Sequence, residues 1–136
     1  MSKHAVALVG TLIAACLPGR VAAYCLEYGT NSLFGTLVRQ TYPGPPDYKS
    51  FTRGDRPVVI WVLLVDPPIC VVDPDYRSPK ESYAREVQLL LEEGQYEQYR
   101  ELLGNKVVVT GDLQHSRGDY KRLLIAPLDI ARARMR

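Results

Sequence analysis

Hydrophobic and polar positions divide the chain into five stretches of strand character and one of helical character. In Leu33 to Tyr42, the residues Leu33, Gly35 and Leu37 fall on one face of a two-residue repeat. Val58 to Val65 is a nearly continuous apolar run that reads as a strand buried on both sides. Glu86 to Leu91, Lys106 to Leu113 and Arg122 to Ile130 complete the set. Between the third and fourth strands, Tyr96, Tyr99, Leu102 and Leu103 recur at three- and four-residue spacing, which predicts a helix over Gln95 to Leu103. Gly104 stands where such a helix ends in a left-handed residue. Asp73 to Ser82, with Pro74, Pro79 and alternating charges, predicts an exposed loop between the second and third strands.

Three strands, a helix and two strands is the order of an OB-fold, a five-stranded Greek-key barrel. The chain is therefore expected to be all-β with one short helix, closed as an OB-fold-like five-stranded barrel. Gly35 and Gly111 sit inside strand patterns, where glycine marks a bulge or the sharp bend of a barrel corner. The alternative architecture is an open antiparallel sheet with one covering helix.

The N-terminus changes the picture of where this domain works. Lys3 and His4 precede Ala5 to Leu17, an uncharged apolar run of 13 residues, and Pro18, Gly19 and Arg20 lead to the small residues Val21, Ala22 and Ala23. This is the pattern of a signal peptide over residues 1–23, with cleavage near Ala23. The run is too short for a permanent membrane anchor, so no transmembrane segment is expected in the mature chain. A second reading takes Ile13 to Cys16 as a lipobox and Cys16 as a lipidated N-terminus. Either way the product is exported, periplasmic or secreted. Removing residues 1–23 takes away two basic residues and no acid, so the net charge of +2 falls to zero. Residues 24–131 then form one barrel domain, and 132–136 a basic tail carrying Arg132, Arg134 and Arg136. Cys25 and Cys70 are the two cysteines left, an even number in an oxidising compartment, so one disulfide is expected, against a reading as two buried free thiols.

Several segments together resemble the bacterial domain of unknown function 4431 family. They are Cys25-Leu26, Gly35-Thr36-Leu37, Tyr42 to Ser50, Gly54-Asp55-Arg56-Pro57, Pro68-Ile69-Cys70-Val71, Val87-Gln88-Leu89 and Leu103 to Val107. The resemblance spans nearly all of the mature chain and implies a small exported protein with no established biochemical activity. Members of that family carry a histidine-rich turn between the last two strands. Here the turn reads Gln114 to Lys121 and keeps only His115, with Asp112 and Asp119 nearby. His115 is thus a weak metal candidate, since zinc takes three or four such ligands, and its other reading is a solvated turn. No cofactor is expected.

Between the first two strands lies Tyr42-Pro43-Gly44-Pro45-Pro46-Asp47-Tyr48-Lys49-Ser50-Phe51. Pro43, Pro45 and Pro46 favour an extended, polyproline-like path that would present Tyr42, Tyr48 and Phe51 at low entropic cost. Two readings are open. The rings form a ligand-binding platform, or the loop folds back and plugs one end of the barrel with them. Gly54 to Pro57 would be the turn into the second strand, with Asp55 and Arg56 as turn and edge residues. Trp61, centred in an apolar strand, belongs to the core. The acids Glu92, Glu93, Glu97 and Glu101 read as a solvated face.

No catalytic constellation accompanies these features. One mature histidine, two cysteines expected to pair and no glycine-rich phosphate loop leave little for an enzyme. The function expected is a non-catalytic binding or interaction module of the cell envelope, its partner an envelope protein, peptide or glycan. The alternative is a metal-assisted hydrolase or metal-binding protein. Nucleic acid is an unlikely partner, because Tyr24 to Leu113 carries 9 basic against 13 acidic residues.

Overall fold

The computed structural model describes residues 25–73, 80–116 and 123–134. The expected signal peptide, Cys16 and Asp119 lie outside them. Five strands, β1 (Gly29–Pro43), β2 (Pro57–Asp73), β3 (Lys80–Leu89), β4 (Lys106–His115) and β5 (Leu123–Arg132), close into a barrel in the order β1-β2-β3-β5-β4. A short helix, α1 (Glu93–Gln98), followed by a 3-10 turn at Arg100–Leu102, joins β3 to β4. This is the OB-fold arrangement, and the open sheet is excluded by closure: β1 pairs with both β2 and β4, and β3 pairs parallel to β5.

The strands run past their apolar patterns at one end or both, except that β3 begins earlier, at Lys80, and stops at Leu89, two residues short of the expected Leu91. β1 is one strand with two partners. Gly29 to Thr36 faces β4 and Thr36 to Pro43 faces β2, so the change of partner falls at Thr36. Gly35 lies beside that change, where a Cβ would sit 2.3 Å from the Leu64 carbonyl oxygen. Gly111 marks a second irregularity. β4 shifts register against β5 between Thr110 and Gly111, Leu128 is the extra residue, and a Cβ on Gly111 would lie 2.2 Å from the Ala126 carbonyl oxygen. The bulge turns Leu128 outward, 74% exposed, and shifts the inward parity so that Ile125 and Ile130 both reach the core.

The core follows from the period of two. Leu33 and Leu37 from β1, Trp61, Leu63 and Val65 from β2, Val87 and Leu89 from β3, Val107, Val109 and Leu113 from β4 and Ile125 from β5 point inward. Burying each aliphatic side chain contributes roughly 1.5–3 kcal/mol. Tyr99, at the end of α1, is buried in the same cluster, with Leu102 and Leu103 packed against it. The predicted helix is thus the element that caps the barrel, although it is split. Gly104 adopts φ +82° and donates its N–H to the Leu37 carbonyl, 2.7 Å away, turning the chain into β4.

The exposed loop expected over Asp73 to Ser82 is shorter than its charges imply. Val71 pairs with Ser82, Val72 with Glu81 and Asp73 with Lys80, so β2 and β3 form a long hairpin. Its pairing is interrupted between Leu64 and Ile69, where Pro67 and Pro68 have no N–H to offer a ladder. Below that interruption, the Leu26 N–H donates to the Cys70 carbonyl and its own carbonyl accepts from Val72, making a parallel bridge to β2. The Cys25–Cys70 disulfide fixes this segment, as expected from the pairing of the two cysteines. At the other terminus β5 runs through Arg132, and the Ala133 N–H donates to the Lys106 carbonyl, so the start of the basic tail is tied to the barrel.

Candidate groove on the outer face of β1, β2 and β3

The loop between β1 and β2 is built around Asp55. Its carboxylate, 4% exposed, accepts three backbone N–H bonds: Oδ2 from Lys49 and Ser50, each 2.8 Å, and Oδ1 from Asp47 at 3.1 Å. The N–H groups of Ser50 and Lys49, with that of Asp47 and the charge of Lys49, hold the Asp55 carboxyl below its ordinary range, and desolvation opposes them. Ser50 caps a 3-10 turn at Phe51–Arg53 through Oγ, which accepts from the Thr52 N–H, and Gly54 closes it at φ +89°. The base of the loop is laced by Gly44 N–H to the Arg56 carbonyl (2.6 Å) and Arg56 N–H to the Pro45 carbonyl (2.9 Å). Gly44 is required by this approach, because a Cβ there would meet Val58 Cγ2 at 2.3 Å.

Two expectations for this loop are corrected. It does not follow an extended polyproline path: the Tyr48 N–H donates back to the Gly44 carbonyl at 2.9 Å, which closes a turn across the prolines. Nor does it plug the barrel, since Tyr48 is 61% and Phe51 49% exposed. Asp55, read as a simple turn residue, is the organising group. It grips the amides on both sides of Tyr48, which holds φ +58°. A side chain in this left-handed region costs about 1–2 kcal/mol, so it persists only where its neighbours are fixed.

Tyr48 is thereby placed on the wall of a cleft of about 350 Å³, with Tyr42, Pro43, Asp47, Val58, Ile60 and Gln88. A second cleft of about 360 Å³ continues past Tyr42 and Ile60 to Val62, Ala84, Arg85, Glu86 and Leu123. A third, about 390 Å³, runs from Ile60 and Gln88 to Leu90, Glu92 and Tyr96. All three share Ile60 and Gln88 and make one branched groove. Tyr42 lies across it: its hydroxyl donates to Glu86 Oε2 at 3.1 Å and lies against Gln40 Oε1. Of the three aromatic residues expected to act together, Tyr42 and Tyr48 share the groove and Phe51 stands apart from it.

Ile60, Gln88 and Glu86 carry no binding-site signal of their own in the sequence. The expected burial of β2 on both faces holds at Trp61, Val62 and Leu63 and fails at the start of the strand, where Val58 and Val59 are exposed and Ile60 is half-buried. The signal lies in the parity of that run. Val58, Ile60 and Val62 share the face opposite Trp61 and Leu63, and of the three Val58 and Ile60 keep exposed surface. Trp61 is core, as expected, and meets Tyr96 edge-on at 5.5 Å. His115 packs its ring 5.1 Å from that of Tyr28, and among the described residues no three His, Cys, Asp or Glu side chains converge on a metal position. Glu92, Glu93, Glu97 and Glu101 are solvent-exposed, with an Arg100–Glu97 pair on the helix surface.

No family model matches the chain, and no curated protein matches it. Among solved structures it is similar to the small single-stranded DNA-binding protein from Streptomyces coelicolor, at 11% identity and a TM-score of 0.40 over 78% of this chain and 94% of that one. It is also similar to an SSB domain from Synechococcus sp., at 17% identity and a TM-score of 0.36 over 79% of this chain and 99% of that one. Overlaps this loose carry no argument about function. The barrel assignment rests on the strand order and pairing themselves.

Proposed function

We propose that this chain is a non-catalytic binding module and that the groove centred on Ile60 and Gln88 is its binding site. The observation that carries the reading is the placement of Tyr48 by Asp55 beside Tyr42, on the face of β2 and β3 and the β1–β2 loop that OB-folds use for ligands. An apolar floor of Val58 and Ile60, with a few polar groups on its walls, is the composition of a recognition cleft. The carboxylates there are spread along the groove, with Asp47 and Glu86 on different branches, and serve contact better than paired acid–base chemistry.

The module belongs in an oxidising compartment, where the Cys25–Cys70 bond persists. Among the described residues no helix is long and apolar enough to cross a membrane. The test is a peptide and glycan array probed with protein expressed from the full chain, beside Ile60→Asp. Ligands captured by the wild type and lost in a folded Ile60→Asp variant support the site. Capture that survives the substitution places binding elsewhere and refutes it. Stoichiometric metal in the purified protein would favour the metal-assisted alternative.

A further inference from the structure

We infer that the ligand of this groove is a basic peptide segment, bound extended with lysine or arginine side chains lying along the floor. The inference rests on the proposed binding site and adds the chemistry that it selects. Four charged side chains line the three branches: Asp47, Glu86 and Glu92 are acidic, and Arg85 alone is basic. Each branch therefore holds one carboxylate. Among the described residues Asp47 and Glu92 enter no salt bridge, and Glu86 accepts from the Tyr42 hydroxyl, which leaves acceptor capacity on the carboxylate.

Each branch also carries a tyrosine, Tyr48 and Tyr42 in the first, Tyr42 in the second and Tyr96 in the third. The negative face of an aromatic ring attracts ammonium and guanidinium groups. Between rings and acids the floor is aliphatic, formed by the exposed Val58 and the half-buried Ile60, while Val62 beside them is already covered. A lysine or arginine side chain matches both parts, since its methylene stem covers apolar surface while its charged head reaches a carboxylate. A small cation would leave the floor uncovered. A phosphate backbone would meet three carboxylates against one guanidinium, so a nucleic acid is the disfavoured occupant.

The experiment uses isotope-labelled protein from expression of the full chain in an oxidising compartment. It is titrated with an acetylated, amidated peptide of alternating lysine and alanine, with its glutamate counterpart, with a neutral oligosaccharide and with a thymidine dodecamer. The lysine peptide is expected to shift the amides of Tyr48, Ile60 and Gln88, and to weaken as salt rises. The double variant Asp47→Asn/Glu86→Gln keeps the shapes and removes two charges, and should bind about tenfold less tightly, each exposed charge contact being worth a few-fold. Binding of the glutamate peptide, the oligosaccharide or the oligonucleotide at the same amides, as tightly as the lysine peptide, would keep the site and overturn the charge selection. Unchanged affinity in the double variant would do the same. Concentration-dependent shifts of the groove amides without any probe would assign the groove to a second copy of the chain and overturn the proposal. If no probe moves those amides, both the proposal and the site fail.

Discussion

Opening the Cys25–Cys70 bond should cost this domain about a quarter or more of the stability usual for its size, and the figure follows from chain statistics. The two cysteines are 45 residues apart in sequence. Closing a loop of that length removes about 13 cal/mol/K from the unfolded chain, or about 4 kcal/mol at 25 °C, against a typical total of roughly 5–15 kcal/mol. The folded state has little to lose besides. Cys70 is already buried, and the Leu26 bridge to β2 consists of two backbone bonds that the staple holds but does not make. Urea unfolding of the oxidised protein, the reduced wild type and Cys25→Ala/Cys70→Ala separates the contributions. With m near 2 kcal/mol/M, the midpoint should fall by about 2 M in both unstapled forms, and m should rise because the unfolded chain is less compact. A loss below about 1 kcal/mol would refute the loop argument. A larger loss in the alanine variant than in reduced wild type would measure the packing of the two sulfur atoms.

Four further outcomes are expected. Asp55→Asn removes the charge that three amides share, so the N–H groups of Asp47, Lys49 and Ser50 should exchange faster with solvent while the barrel amides keep their protection; unchanged loop protection would contradict the organising role. Because the Asp55 carboxyl is held below its ordinary value of 3.8, its contribution is present above that pH and is lost as pH falls through the lowered folded value; loop loosening already at pH 5, followed by exchange-sensitive NMR, would contradict this. Tyr48→Ala should change the urea-derived stability by less than about 0.5 kcal/mol, whereas Leu63→Ala, at a fully buried position, should cost about 2–5 kcal/mol; equal costs would restore the plug. Gly111→Ala should cost about 1–3 kcal/mol, since the β5 backbone at Ala126 and Pro127 must move, and a neutral result in the same assay would remove the steric reading of that bulge.

The barrel was legible because its inward positions obey one rule. Leu33, Leu37, Leu63, Val87, Val107 and Leu113 alternate with residues of the other face, and the two mid-strand glycines mark bends that their neighbours' backbones require. Strand ends were less legible, since Lys80 to Ser82 is polar and joins the hairpin through backbone pairing, to which side-chain pattern is blind. The groove was half visible. Tyr42 and Tyr48 stood out as rings in a proline-rich loop, but their partners Ile60 and Gln88 are ordinary strand residues that acquire meaning only when β1, β2 and β3 curl together. The role of Asp55 is hidden in the sequence for a related reason. A carboxylate in a turn looks the same in sequence whether it faces water or three amides.

Among the described residues the closure of β3 onto β5 is made by two residue pairs, Gln88 with Leu124 and Leu89 with Ile125, while β1 is paired along its whole length. A cylinder fails along its shortest zip. Thermal breathing of this one should therefore begin at that line, peeling the β2–β3 hairpin away from β5 while β1 keeps its grip on both β2 and β4. Gln88 lies on the zip and in all three branches of the groove, so whatever seats itself there spans the line of rupture and acts as a rivet across it.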